Sequence, residues 1–384
     1  MDVYYDYIIA GAGCAGRSLG VHLLPLLEQR NQRLLIIDSS FEHLVNKTWC
    51  FWEKETGIFD HLVHCRWDHV NVIHQGQKLT MDIRPYRYKM IRSMDFYDYT
   101  SFLFDASPQV HYFTGHVTSL TSDGQLATVI ADGKPFYTTC LFNSIPGTIM
   151  QQPKKFNYLL QHFKGWTIST TEALFDPLQA TLMDFSVAQE DGTAFIYLLP
   201  TSETTALVEY TEFSTQRLSD SEYERRLIAY ITGRLGISEF AILEEESGAI
   251  PMTDHPFSAG NKNIINIGTT GGATKASSGY TFSFIQSQSL KIAAALRDDK
   301  LPTDTLQPGR FGFYDAILLD VLSSNKTIGA DIFFRLFKCS PPERVLRFLD
   351  NKSSLLDEGR IFLRLPKTVF TKSLINKIRR SFIH

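Results

Sequence analysis

Six residues, Gly11-Ala12-Gly13-Cys14-Ala15-Gly16, constrain this chain more than any other feature. They follow a short β-rich run, YYDYIIA (4–10), and open an apolar segment that reads as a helix to about Leu27. A second β-rich run, RLLIID (33–38), ends on Asp38, roughly 20 residues beyond the glycines. In a βαβ unit of this kind the first glycine makes the tight turn and the second lets backbone approach a pyrophosphate. The third lets helix pack on strand. The helix N-terminus offers unpaired N–H groups to phosphate, and the acid closing the second strand accepts hydrogen bonds from a ribose. Gly11, Ala12, Gly13, Ala15, Gly16 and Asp38 are therefore the expected contacts to a dinucleotide. A glycine turn in an ordinary α/β domain is the competing reading, and the strand–turn–helix–strand context weighs against it. Pro25, inside the helix, is expected to kink or shorten it.

Which dinucleotide depends on a second element. Far downstream, INIGTTGG (265–272) and KASSGYTF (275–282) read as a buried strand, a glycine-rich turn and the start of a helix over 281–296. A flavin domain uses such an element to close over the ribityl chain and the ring. A helix N-terminus there sets partial positive charge beside the flavin N1–C2 edge, which favours an anionic reduced flavin. Ser277 and Ser278 stand where its N-cap is expected. The two elements together point to FAD, with Gly268, Gly271, Gly272, Ser277, Gly279 and Tyr280 at the cofactor. Alone, the second element also fits a plain βα turn.

Between these anchors the pattern changes. Residues 61–90 and 108–145 read as short strands, and 93–105 and 219–236 as helices. Several strands fill 166–211, with 194–199 and 206–211 forming a hairpin around Pro200-Thr201-Ser202. The expected fold class is α/β: a Rossmann-like FAD-binding domain (1–60, 91–150 and 255–300), an interleaved antiparallel-sheet substrate domain (61–90 and 151–254), and a helical C-terminal part (301–384).

Composition excludes some functions and leaves others open. A net charge of −3 gives no footprint for nucleic acid. Five scattered cysteines without a C-x-x-C pair suggest a reducing, cytoplasmic setting, with no disulfide framework or structural zinc. No histidine spacing suggests a metal site. No apolar run reaches the ~18 residues of a membrane span, and the start does not read as a signal peptide. The 28 Phe and 16 Tyr fit either a large aromatic core or an aromatic-walled site for an apolar ligand.

Several unusual motifs, in order along nearly the whole chain, resemble the bacterial lycopene cyclases. They are NKTWCFWE (46–53), MDF (183–185), FIYLLPTSETTALVEYTEF (195–213), GAIPMT (248–253) and GGATKASSGYTF (271–282). FGFYDAILLDVL and FRLFKCSPPERVLRFLD in the C-terminal part belong to the same likeness. The resemblance implies a flavoprotein with the two-domain fold of the aromatic hydroxylases. It further implies cyclisation of the ends of lycopene, a C40 polyene, to β-ionone rings, giving β-carotene by way of γ-carotene. The β ring is the family's common outcome; the residues leave β, ε and γ rings, and the oligomeric state, open. Related flavin hydroxylases usually carry Asp after the glycine of the 267–268 strand end, where this chain has Thr269.

Cyclising a polyene end requires protonation of an unactivated alkene by a neutral carboxylic acid in a dry pocket. It also requires aromatic faces or an anionic reduced flavin to stabilise the cation. Such a reaction is redox-neutral, so NAD(P)H would keep the flavin reduced without stoichiometric consumption. On an extended strand, Leu207, Glu209 and Thr211 share one face while Val208 and Tyr210 share the other. Unaided, Glu209 reads as a solvated sheet residue. The resemblance makes it the candidate acid, because LVEYT matches the family segment implicated in proton transfer; Tyr210 stands where relatives often carry a second acid.

Other residues carry paired readings. Glu244-Glu245-Glu246 reads as a solvated charge run, with Glu246 as a helper acid the alternative. Trp49, Phe51 and Trp52 either line the cation site or pack on the first βαβ unit, and Asp184 is either a site or a buried structural residue. Lys275 reads as an exposed lysine on a turn. After Glu358 there are no acids: Arg360, Arg364, Lys367, Lys372, Lys377, Arg379 and Arg380 alternate with apolar residues that include Ile375, Ile378 and Phe382. This fits peripheral attachment to an anionic membrane surface, against the alternative of a helix covering a domain face. An FAD monooxygenase or polyprenyl reductase of the same fold, or a non-catalytic isoprenoid carrier, are the competing functions.

Overall fold

The structure is a computed structural model describing residues 3–42, 46–145, 156–261, 263–300, 302, 309–324 and 328–382, with side chains to Arg379. Arg380 and Phe382 of the basic tail therefore lie outside the described side chains. So do the residues around the expected boundaries at 150 and 301.

The chain opens with β1 (Val3–Ala10), α1 (Cys14–Arg30) and β2 (Leu34–Asp38), followed by β3 (Thr48–Glu53) and β4 (Val63–Trp67). Then come β5 (His69–His74), β6 (Gln77–Asp82), β7 (Arg87–Arg92), α2 (Ser93–Asp105), β8 (Val110–Thr114), β9 (Val117–Ser122), β10 (Ala127–Ala131) and β11 (Lys134–Asn143). The middle holds β12 (Tyr158–Ser169), β13 (Gln179–Asp184), β14 (Thr193–Pro200), β15 (Thr205–Ser214), α3 (Asp220–Ile228) and β16 (Ala241–Thr253). After β17 (Gly260–Asn261) and β18 (Ile264–Asn266) the rest is helical: α4 (Phe282–Arg297), α5 (Gly309–Ser324), α6 (Gly329–Lys338), α7 (Pro342–Leu349), α8 (Leu355–Phe362) and α9 (Lys367–Phe382).

The first sheet contains the parallel run β18-β11-β1-β2-β8, with β9 and β10 folded antiparallel onto β11. Its strands are buried apolar runs because helices cover them, as a parallel sheet requires. Leu19, Leu23, Leu26 and Leu27 of α1 meet Ile285, Ile292 and Leu296 of α4 in that core. Pro25 does not shorten α1, which continues to Arg30. The proline is exposed, so water can reach the carbonyl it leaves without a donor.

The second sheet, β16-β12-β15-β14-β13-β5-β6, is antiparallel apart from the β5–β13 pair. Strand alternation gives it two unlike faces. Val208 and Tyr210 point to the core beneath Tyr223 and Leu227 of α3, whereas Leu207 and Phe213 point to the core shared with α5, α6 and α7. In a small sheet, β3-β7-β4, Trp52, Trp67 and Tyr88 join the core of the second sheet, while Phe51 and Ile91 pack with Phe96 and Phe282. The mixed α/β architecture with a Rossmann-like parallel sheet and a helical C-terminal part agrees with the fold class expected from the sequence.

Candidate functional site

The glycine turn is built as its spacing demands. Gly11 has φ +102°, and a Cβ there would meet Ser144 Oγ at 2.4 Å. A Cβ on Gly16 would lie 2.0 Å from the Gly11 carbonyl oxygen and 2.9 Å from Ile9 Cγ2, so α1 can approach β1 only through a glycine. Gly13 differs: nothing lies within 4 Å of its Cβ position. It is the N-cap of α1, donates no side-chain cap, and has no acid in the following turn. Open space in front of free helix N–H groups suits a phosphate. At the neighbouring strand end, Asp38 Oδ2 accepts the Ala12 N–H at 2.5 Å. The residues present fit a dinucleotide.

The downstream turn closes against this unit. Gly268 has φ +62°, and its Cβ position lies 2.6 Å from Ala15 Cβ. Its N–H donates to Gln288 Oε1 at 2.8 Å. The N-cap is not where the sequence suggested: α4 begins at Phe282 after Thr281. Ser277 instead donates to Asp315 Oδ1 at 2.7 Å, while Ser278 Oγ is buried without a partner among the described residues, at the wall of a cavity. Lys275 is also not an exposed turn residue. It is 1% exposed, with Nζ 2.6 Å from Asp315 Oδ1; α5 and α7 fold over it, which no local pattern reveals.

That cavity, of about 110 Å³, lies where 278–282 meets the second sheet. Its walls are Trp49, Tyr88, Phe163, Tyr197, Tyr280 and Phe282. Trp49 and Phe51 stack on Phe282, with ring centroids at 5.8 and 4.7 Å, and Trp52 meets Tyr280 edge-on at 4.4 Å. The TWCFW run therefore packs on the downstream turn, and Trp49 reaches the cavity. The Tyr197 and Tyr280 hydroxyls are 3.5 Å apart. Burial raises both phenols above their usual range, Tyr280 to about 12, so they remain neutral.

Glu209 faces into this cavity and is 9% exposed. Its Oε1 accepts the Thr211 hydroxyl at 2.9 Å. Burial, then the charge of Glu246, hold its carboxyl well above the ordinary carboxylate range, which keeps a proton on it. Tyr210 points the other way, its hydroxyl donating to Glu212 Oε2 at 2.9 Å. Asp184 is buried and accepts Tyr230 Oη at 2.8 Å, outside the cavity wall.

The acidic run does not behave as one solvated face. Glu244 and Glu245 are exposed, but Glu246 is 8% exposed and lines the cavity. Its Oε2 accepts the Thr48 N–H at 2.6 Å, and burial pushes its pKa up to about 7. The solvated charge-run reading therefore fails at Glu246, which the fold buries. No local signal marks it: the strand period groups 246 with the exposed 244, and only the β12 pairing turns the 246 end inward.

Fold and site together define a mixed α/β protein with a Rossmann-like parallel sheet and a buried carboxyl, held well above the ordinary carboxylate range, in an aromatic cavity. The chain belongs to the lycopene cyclase family, whose model, "Lycopene cyclase protein", matches residues 6–375. It is 28% identical over 258 residues to a lycopene beta-cyclase of Pantoea ananas, covering 66% of this chain and 64%, just under two thirds, of that relative. A lycopene beta-cyclase of Pseudescherichia vulneris is 22% identical over 94% of both chains. Among solved structures, a flavoprotein/dehydrogenase from Cytophaga hutchinsonii shares the fold at TM-score 0.58 and 12% identity, over 97% of this chain and all of that one (100%).

Proposed function

We propose that this chain is a lycopene β-cyclase, an intramolecular lyase or isomerase that closes the acyclic ends of lycopene to β-ionone rings without net redox change. One observation carries the reading: Glu209 is a buried carboxyl facing a cavity walled by aromatic rings, where burial favours its neutral form. The neutral acid gives its proton to the terminal alkene, and the resulting tertiary cation is attacked by the neighbouring double bond. Loss of a second proton leaves the ring. Tyr197, Tyr280, Trp49 and Phe282 offer π-faces to the cation, and none carries a nucleophile as strong as a thiolate or free carboxylate. The aromatic and aliphatic part of the lining, with Phe163, Leu199, Leu207 and Ile250, offers the cation no nucleophile.

Gly11, Ala12, Gly13, Ala15, Gly16 and Asp38 would hold the nucleotide half of FAD. Gly268, Gly271, Gly272, Ser277, Gly279 and Tyr280 would hold the ribityl and ring half. Reduced FAD, kept so by NAD(P)H, would supply negative charge beside the developing cation. No described helix is long and apolar enough to cross a membrane. A hydrocarbon substrate resides in the bilayer, and α9 exposes Ile375 and Ile378 beside Lys372 and Arg379. We therefore assign the protein to the cytoplasmic membrane surface as a peripheral enzyme.

The test is expression in cells that accumulate lycopene, followed by pigment chromatography. Cyclised product is expected. Unchanged lycopene beside well-expressed protein would overturn the cyclase reading, and full activity in Glu209→Gln would overturn the choice of acid.

A further inference from the structure

The floor of the cavity has a regular pattern across three adjacent strands. Leu207 and Glu209 of β15, Gln161 and Phe163 of β12, and Glu246 and Ile250 of β16 all face it. Glu209 and Glu246 lie in the same cross-strand row, because both pair directly with Gly165 of the strand between them. Two strand spacings separate their backbones, roughly 10 Å. The middle position of that row carries no side chain, because it is Gly165. A Cβ on Gly165 would come within 3.1 Å of Glu209 Cβ and 3.2 Å of its Cγ.

The two carboxyls are held unequally. Glu246 accepts a backbone N–H from Thr48, a bond that favours the ionised form, and its Oε1 is buried with no partner among the described residues. Glu209 has only the Thr211 hydroxyl. Around the pair, Cys50, Tyr88, Tyr197 and Tyr280 are kept neutral by burial, while Lys47 and Glu244 act on Glu246 from outside with opposite sign. Two carboxylates in one low-dielectric cavity do not both ionise. Above about pH 7 the favoured state has one proton, on Glu209, with Glu246 as the carboxylate.

We propose that Glu246 is the base of this site, removing the proton that the cyclised cation must lose, with Gly165 as the spacer that lets both carboxyls reach one substrate end. The inference rests on the cyclase reading above. The balance closes without any oxidant or reductant. The Glu209 O–H bond breaks and a C–H bond forms at the terminal alkene. Ring closure moves the positive charge to C5. The C6–H bond then breaks, its electron pair becoming the ring double bond and its proton passing to Glu246. The pair holds one proton before and after the reaction and none while the substrate is a cation, whose positive charge offsets the second carboxylate; transfer of the proton from Glu246 back to Glu209 resets the site. Because β, ε and γ rings differ only in which proton leaves, the position of this base also selects the ring.

Flavin-loaded wild type, Glu246→Gln and Glu246→Asp should be assayed with lycopene in vesicles across pH, with ring isomers separated by chromatography. The wild-type rate should fall on the acid side as Glu246 is protonated. In Glu246→Gln that limb should vanish, β-ring formation should drop by roughly 10²-fold or more, and ε, γ or hydroxylated ends should appear. Glu246→Asp should keep an acid limb and give mixed rings. A Glu246→Gln enzyme making only β rings with an unchanged pH profile would overturn the proposal, as would loss of rate in both variants with the profile and ring type unchanged. Absence of cyclic product in the wild type itself would instead overturn the cyclase reading.

Discussion

Lys275 Nζ lies 2.6 Å from Asp315 Oδ1, joining the turn that follows the second glycine element to helix α5 in a buried ion pair. Asn351 Oδ1 accepts from the same ammonium at 2.7 Å, and the rings of Phe311 and Phe348 lie 5.7 and 5.8 Å from it. Asp315 also accepts the Ser277 hydroxyl. The C-terminal helices thus fix the backbone that would hold a flavin.

Removing one partner strands the other charge in the interior. Lys275→Met should cost about 3–5 kcal/mol of unfolding free energy, whereas Lys275→Met combined with Asp315→Leu should recover most of it. Denaturant unfolding of the three proteins checks this. Equal loss in the single and double variants would show that the pair is not what stabilises the turn.

The glycines make a contrasting pair. Gly16→Ala drives a methyl group into the Gly11 carbonyl and should destabilise the fold itself. Gly13→Ala meets open space at φ −74° and should change stability by no more than about 1 kcal/mol, the cost of an N-cap alanine. Its methyl group stands where a pyrophosphate would approach, so FAD affinity should fall at least roughly 10-fold. Thermal melts and flavin titration separate the two effects; normal flavin affinity in a folded Gly13→Ala protein would argue against this cradle.

Much of this was legible because local backbone chemistry is. The 11–16 turn needs a positive φ at Gly11 and no Cβ at Gly16, and those needs are written in the residues that meet them. The alternation of Leu207, Glu209 and Thr211 against Val208 and Tyr210 likewise follows from strand geometry alone. Lys275 and Glu246 were not legible, since their burial is decided by elements far away in sequence: α5 and α7 for the lysine, β12 and β3 for the glutamate. Gly165 carries no chemistry, so its role exists only once two other strands are paired beside it.

Helix α9 has two unlike faces. Val369 and Phe370 pack on the core and Lys377 bonds Asp254 at 2.6 Å, while Lys372, Ile375, Ile378 and Arg379 stay exposed. Replacing Lys372 and Arg379 by Gln and the two isoleucines by Ser should leave the fold intact. Binding to vesicles containing anionic lipid should weaken by roughly 30-fold or more, at about 1 kcal/mol per basic residue. Cosedimentation measures it; unchanged binding, or none in the wild type, would contradict the surface assignment.

The raised pKa of Glu246 has a consequence for stability. In the unfolded chain this carboxyl loses its proton near 4.5, whereas in the fold it keeps it to about 7. Between those values the folded state binds more protons, so its contribution to stability is greatest below pH 4.5 and declines as pH rises to about 7. The difference is on the order of 3 kcal/mol at most. Glu246→Gln abolishes it, so the variant should gain on the wild type as pH is raised from 5 to 8, with the two closest at the acid end. Denaturant midpoints at both pH values test this, and parallel behaviour of the two proteins would show that Glu246 is ionised in the fold well below neutrality.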